Sequence, residues 1–123
     1  MYTVHIEIGA SASNYWARLS FEDKKGKTYK KEIIKNRSAS KQSNHLQALI
    51  DAIEVLQRPC MIDVYTSSEY IIEPFKQGWI TNWEKSGWMN AKGNTVRNAG
   101  QWKQLRKALT PHSARFLYID GRG

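Results

Sequence analysis

The chain has 123 residues, of which 41% are hydrophobic and 24% charged, with a formal net charge of +8 at pH 7. That size gives one α/β-sized domain, 1–123, with enough apolar matter for a core and no room for a second, and the surplus of positive charge points to a polyanionic partner. No run approaches the roughly 18 apolar residues of a membrane span, the N-terminus carries no basic-then-apolar signal, and a lone cysteine, Cys60, excludes a disulfide within the chain, so the expected location is the cytoplasm.

Residues 2–8 alternate apolar Val4, Ile6 and Ile8 with polar Thr3, His5 and Glu7, the pattern of a half-buried strand. After a polar turn at 11–14, Tyr15, Ala17, Leu19 and Phe21 alternate again, and the pair reads as a hairpin. A charged turn leads to a third antiparallel strand over 27–34. Around it Lys24, Lys25, Lys27, Lys30, Lys31, Lys35, Arg37 and Lys41 face one acid, Glu32. Such a run is either a solvated edge that discourages strand pairing between molecules or a second phosphate-contacting face.

A helix is predicted over about 42–57, with Leu46, Leu49, Ile50, Ile53 and Leu56 at three- and four-residue steps. Residues 60–65 (CMIDVY) read as a buried central strand holding Cys60 as a small core residue, and Thr66, Ser67, Ser68 and Glu69 as a strand-to-helix corner. Pro74 falls inside or at the end of the next short helix. Residues 102–109 are helical, Pro111 breaks that helix, and 114–119 (ARFLYI) form a last strand.

Between those helices lies the most informative stretch, the region of about 77–100 with the helix after it, which carries Trp79, Trp83, Trp88 and Trp102. Trp79 and Trp83 are four apart and share a helix face; Gly87 ends that helix and Trp88 follows at the bend. From Lys85 to Lys107 the basic residues Lys85, Lys92, Arg97, Lys103, Arg106 and Lys107 meet no acid. Any one of these tryptophans could be core and any one lysine solvated, but aromatic surface interleaved with positive charge is the composition that grips a nucleic-acid backbone.

The order of elements and the residues themselves resemble the type 1 ribonuclease H family over nearly the whole chain. The spacing Trp79, Trp83, Gly87, Trp88, followed by Val96-Arg97-Asn98 and Trp102, is similar to the basic handle of some members. The segment 60–70 resembles the family's strand ending in Thr-Asp-Ser-x-Tyr, and 4–11 its first strand ending in Asp-Gly-Ser. The resemblance implies an α/β ribonuclease H-like fold: a five-stranded mixed sheet in the order 3-2-1-4-5, strands 1 to 3 antiparallel, helices on both faces and a Trp-rich handle. It also implies cleavage of the RNA strand of an RNA/DNA hybrid by two Mg²⁺ ions held by four carboxylates, which offset the repulsion between the ions.

Three of the implied carboxylate positions are Gly9, His45 and Ser67. None suits magnesium: glycine has no ligand atom, imidazole prefers softer metals, and a neutral hydroxyl contributes little. The fourth carboxylate is missing, and Arg122 stands where the family's mobile histidine would be. Glu7, Asp63 and Asp51 are the acids that could substitute, yet Asp51 lies about 9 Å along the helix from His45, and Asp63 is two side-chain repeats from Ser67. A zinc pair of His5 and His45 is the weaker idea, since a lone histidine near a core is usually a hydrogen-bonded structural residue. The expectation is therefore no bound cofactor.

The implied binding residues are Ser40, Lys41 and Gln42 before the first long helix, and Trp79, Trp83, Lys85, Trp88, Lys92, Arg97 and Asn98 in the handle. Glu84 dilutes the handle's charge, and Glu69 and Glu73 stand where the family often has neutral amides; acids there cost backbone affinity. The function expected is a catalytically inactive domain that binds nucleic acid, an RNA/DNA hybrid or A-like duplex. Two rival readings are a protein-interaction module, marked by no salt-sensitive nucleic-acid binding, and a residual nuclease, marked by metal-dependent cleavage.

Overall fold

Alternation in the first strand decides the layering. In the computed structural model, which describes residues 2–119, Val4, Ile6 and Ile8 of β1 (Thr3–Ala10) are buried while Thr3 and His5 are exposed. β1 pairs antiparallel with β2 (Asn14–Glu22), which pairs antiparallel with β3 (Thr28–Asn36). On its other side β1 pairs parallel with β4 (Met61–Thr66), and β4 with β5 (Ser113–Tyr118). The sheet order is β3-β2-β1-β4-β5, as the sequence predicts.

The apolar side is covered by α1 (Lys41–Glu54), whose Leu46, Leu49 and Ile50 are fully buried against β1 and β2. This helix ends at Glu54, so Leu56, expected to continue its apolar stripe, lies beyond the last turn and is only partly buried. α2 (Glu69–Lys76) carries Pro74 inside it and packs on the same side, with Phe75 stacked on Phe116 of β5 at 4.0 Å between ring centroids. α3 (Trp79–Lys85) follows α2. α4 (Ala99–Leu109) lies against α1 and starts three residues before the predicted helix, because Asn98 adopts a left-handed conformation with φ of 59° and turns the chain into it.

Helices were expected on both faces, but those of the described residues that contact the sheet lie on one. The register puts His5, Glu7, Arg18, Glu32, Asp63 and Arg115 together on the opposite side. These residues offer no apolar stripe for a helix to bury. They neutralise one another: Arg18 meets Glu32 at 2.9 Å and Glu7 at 3.4 Å, and Arg115 grips Asp63 with two bonds of 3.1 and 3.0 Å. Ile34 on this side is 65% exposed. Arg122 lies outside the described residues.

Candidate nucleic-acid interface

The handle is built outward from a buried indole. Trp102 on α4 is 1% exposed, and its Nε1–H donates to the Tyr70 hydroxyl at 3.2 Å. Trp83 packs edge-on against it with centroids 5.7 Å apart. Trp79 and Trp88 flank Trp83 at 6.4 and 6.3 Å, so the helical spacing of four does place Trp79 and Trp83 side by side. The series ends at Trp79, which is 44% exposed. Edge-to-face contacts of this kind contribute about 0.5–1.5 kcal/mol each beyond area burial, so the inner rings fix the position of the outer one.

Gly87 ends α3 in the left-handed region, and Trp88 follows with φ of 66°, which bends the chain back so that Val96 N–H donates to the Trp88 carbonyl at 2.9 Å. The loop tip is closed by Asn90, whose Oδ1 accepts from the backbone of Lys92 and Asn94. Lys92 is thereby presented to solvent, as are Lys85 and Arg97. A cleft of about 430 Å³ runs between Trp79, Trp83, Asn82 and Met89. Met89 and Asn82 carry no sequence signal as binding residues; only the fold of the loop brings them there. One of the six basic residues has an intramolecular partner at the surface: Arg106 pairs with Glu84 at 3.0 Å. Asn98 also serves the fold, its Nδ2 donating to the Tyr70 hydroxyl at 3.1 Å.

The second polar region is the start of α1. Ser40 is its N-cap, with Oγ accepting from Ser43 N–H at 3.1 Å. No acid occupies the first turn, and Lys41 and Gln42 are exposed on it, so the positive end of the helix dipole is left available to an anion. The turn is held rigid from beneath. Arg37 donates to Ser43 Oγ and Asn44 Oδ1, and Gln101 of α4 donates to the Ser43 carbonyl and accepts from Ser43 Oγ at 2.7 Å. Arg37 was visible in the sequence only as one charge in a run, and Gln101 not at all.

The three implied carboxylate positions do not converge as a ligand set. His45 is buried on α1, and burial, reinforced by the charge of Lys41 and opposed by a backbone hydrogen bond, pushes its pKa below the ordinary value. Ser67 is exposed just past β4. Gly9 looks the other way: a Cβ on it would project away from α1 into the Trp16 indole, 2.4 Å from Cε2. Nor are the alternative acids unengaged. Glu7 faces Arg18, Asp63 is held by Arg115, and Asp51 accepts from Tyr15 and Gln47 and lies 3.3 Å from Lys35. Asp51 and the buried setting together raise the Tyr15 pKa to about 12, burial contributing most. His5 bonds Tyr65 at 3.0 Å, on the sheet face opposite α1 and hence apart from His45. Among the described residues no group of three or more His, Cys, Asp or Glu is placed to hold a metal ion, and a donor set of glycine, buried imidazole and hydroxyl does not fit a magnesium pair.

The RNase H family model matches residues 8–122. Ribonuclease H of Thermus thermophilus is 40% identical over 76 residues, covering 62% of this chain and 46% of that protein. Ribonuclease H of Clostridium botulinum is 35% identical over 94 residues, covering 76% of this chain and 63% of its own length. The chain therefore spans about half the length of the curated relatives it matches. Among solved structures, LC9-RNase H1, described as a type 1 RNase H with the type 2 active-site motif, superposes with a TM-score of 0.86 at 14% identity over 100% of this chain and 65% of that one. LC11-RNase H1, solved in complex with an RNA/DNA hybrid, gives 0.62 at 15% identity over 99% of this chain and 87% of that one.

Proposed function

The chain belongs to the ribonuclease H family, and from that premise we propose that it binds nucleic acid, an RNA/DNA hybrid or other A-like duplex, without carrying out metal-dependent cleavage. The observation that carries this reading is a contrast within one molecule. The handle keeps its ordered tryptophans, aromatic cleft and outward cations, while Glu7, Asp51 and Asp63 are each engaged by a cation and Gly9, His45 and Ser67 offer no carboxylate. Trp79 and Trp83 would contact sugar or base edges, Lys85, Lys92 and Arg97 would neutralise phosphates, and Ser40, Lys41 and Gln42 at the α1 dipole would hold a further phosphate. The hybrid seen on LC11-RNase H1 supports the choice of ligand.

A second reading, hybrid cleavage, is favoured by one observation: the curated relatives are named ribonuclease H. One experiment separates the two. Affinity for an RNA/DNA hybrid, double-stranded RNA and double-stranded DNA is measured at two salt concentrations, with parallel incubation in Mg²⁺ and in Mn²⁺. We expect tightest binding to the hybrid, a salt slope that falls by about one unit in Lys85→Ala, a loss of about 1–3 kcal/mol in Trp79→Ala, and intact RNA. Single-turnover cleavage that survives further purification and disappears on substituting Glu7 or Asp63 would establish the second reading. Salt-independent affinity that is unchanged in both variants would remove the handle from the interface.

A further inference from the structure

About 21 Å along α1 from Ser40, where the helix has ended, a cleft of about 450 Å³ opens between Tyr2, Phe21 and Tyr29 on one side and Val55 and Leu56 on the other. A smaller hollow of about 190 Å³ continues it along β3 past Lys30 and Lys31. The floor is aromatic. Phe21 and Tyr29 are stacked at 4.9 Å with their planes 12° apart, and Tyr2 tilts onto Phe21 at 5.3 Å. Both tyrosines remain 41% exposed.

The rim is cationic. Lys27 Nζ hangs 5.1 Å from the Tyr29 ring centroid, and Lys31 and Arg58 are exposed around the cleft. Among the described residues none of these three makes an ion pair. The one acid in the lining, Asp23, is engaged by its own turn: Oδ1 accepts from Lys25 N–H and Lys27 N–H, and Oδ2 from the Tyr29 hydroxyl. Lysines alone protect an edge strand from pairing with another molecule. That purpose does not require stacked, half-open aromatic rings beside them.

We propose that this cleft is a binding site for single-stranded nucleic acid, whose bases stack on Tyr29 and Tyr2 while its phosphates pair with Lys27 and Lys31, which share the Tyr29 side of β3. Every base has a π face, so such a platform tolerates any sequence. The Lys27 arm swings from the ring to a phosphate as a base takes its place. A duplex is a poor occupant because its bases are already stacked on one another. An acidic polypeptide would use the lysines and have no use for the tyrosine faces. The site shares no residue with the handle or the start of α1, and it stands whether or not those regions bind a hybrid.

The test is fluorescence anisotropy of the whole 123-residue chain with a labelled oligothymidylate of about 8 nucleotides, within the usual single-strand site size. We expect Tyr29→Ala to weaken binding about 5- to 150-fold and Tyr29→Phe to bind like the wild type. Tyr29→Leu, which keeps an apolar neighbour for Phe21 and covers the case that the alanine variant unfolds, should lose binding as Tyr29→Ala does. Lys27→Ala with Lys31→Ala should lower the slope of log affinity against log salt by about 1.4 units, and Lys85→Ala with Lys92→Ala should weaken hybrid binding but not oligothymidylate binding. Absence of binding, wild-type affinity in a folded Tyr29→Leu protein, loss of binding in the handle variant, or equal competition by polyglutamate would each overturn the assignment.

Discussion

Replacing Gly9 by alanine tests whether this glycine makes room for a neighbour. The added Cβ would stand 2.4 Å from Trp16 Cε2 and Cζ2 and 2.6 Å from Nε1, so the indole must move. It is not free to do so cheaply, because the Arg18 guanidinium lies 4.6 Å over the ring and is itself tied to Glu32 and Glu7. Giving up the cation–π contact costs about 0.5–1 kcal/mol, and overpacking of this kind costs about 1–3 kcal/mol, or roughly 4 °C of Tm per kcal/mol for a chain of this size. In a Trp16→Ala background the obstacle is gone, and Gly9→Ala should then stabilise by about 0.4–1 kcal/mol through a less flexible unfolded chain. Urea denaturation of wild type, both single variants and the double variant gives the coupling, expected at about 1.4–4 kcal/mol. A cost for Gly9→Ala that is the same in both backgrounds within about 0.5 kcal/mol would refute the reasoning.

Two further outcomes follow from the core. Leu49→Ala removes a fully buried side chain from the α1 face and should destabilise by about 2–5 kcal/mol in urea denaturation; a loss under about 1 kcal/mol would mean the helix does not pack as described. Because the folded pKa of His45 is lowered, mainly by burial, the unfolded chain binds the extra proton first. Its contribution to stability is complete above about pH 6.5 and is lost as pH falls from there through the folded pKa. Urea titrations at about pH 7.5 and about pH 5.5 should show this decline in the wild type and a smaller one in His45→Gln, and an equal decline in both would show that His45 protonates as easily folded as unfolded.

Much of the sheet could be read from local pattern, since period-two alternation in β1 and β2 and three- and four-residue steps in α1 depend on neighbours only. The handle could be read because its tryptophans are spaced by helix geometry, which survives as a sequence interval. What escaped the sequence depends on distant partners. Whether Gly9 marks a lost ligand or space for a ring is decided by its register opposite Trp16 across the hairpin. Asn98 has a structural partner, Tyr70, that its own position does not reveal, because the two are 28 residues apart. The polar face opposite α1 was hidden for the same reason: Arg115 and Asp63, which help to make it self-satisfied, are 52 residues apart.

The position of β1, antiparallel to one neighbour and parallel to the other, sets the sequence in which the chain can assemble. β1, β2 and β3 are joined by short turns and can zip together with little loss of chain entropy. The parallel partners arrive by long crossovers: His5 of β1 meets Tyr65 of β4 after 60 residues, and Asp63 of β4 meets Arg115 of β5 after 52. Loop closure must precede any reward from those contacts. A nascent chain therefore exposes, before α1 closes over it, a lysine-rich meander whose Val4, Ile6 and Ile8 side is bare, and during that interval the unpaired charges of β3 are what keep two such chains from adding to each other's edges.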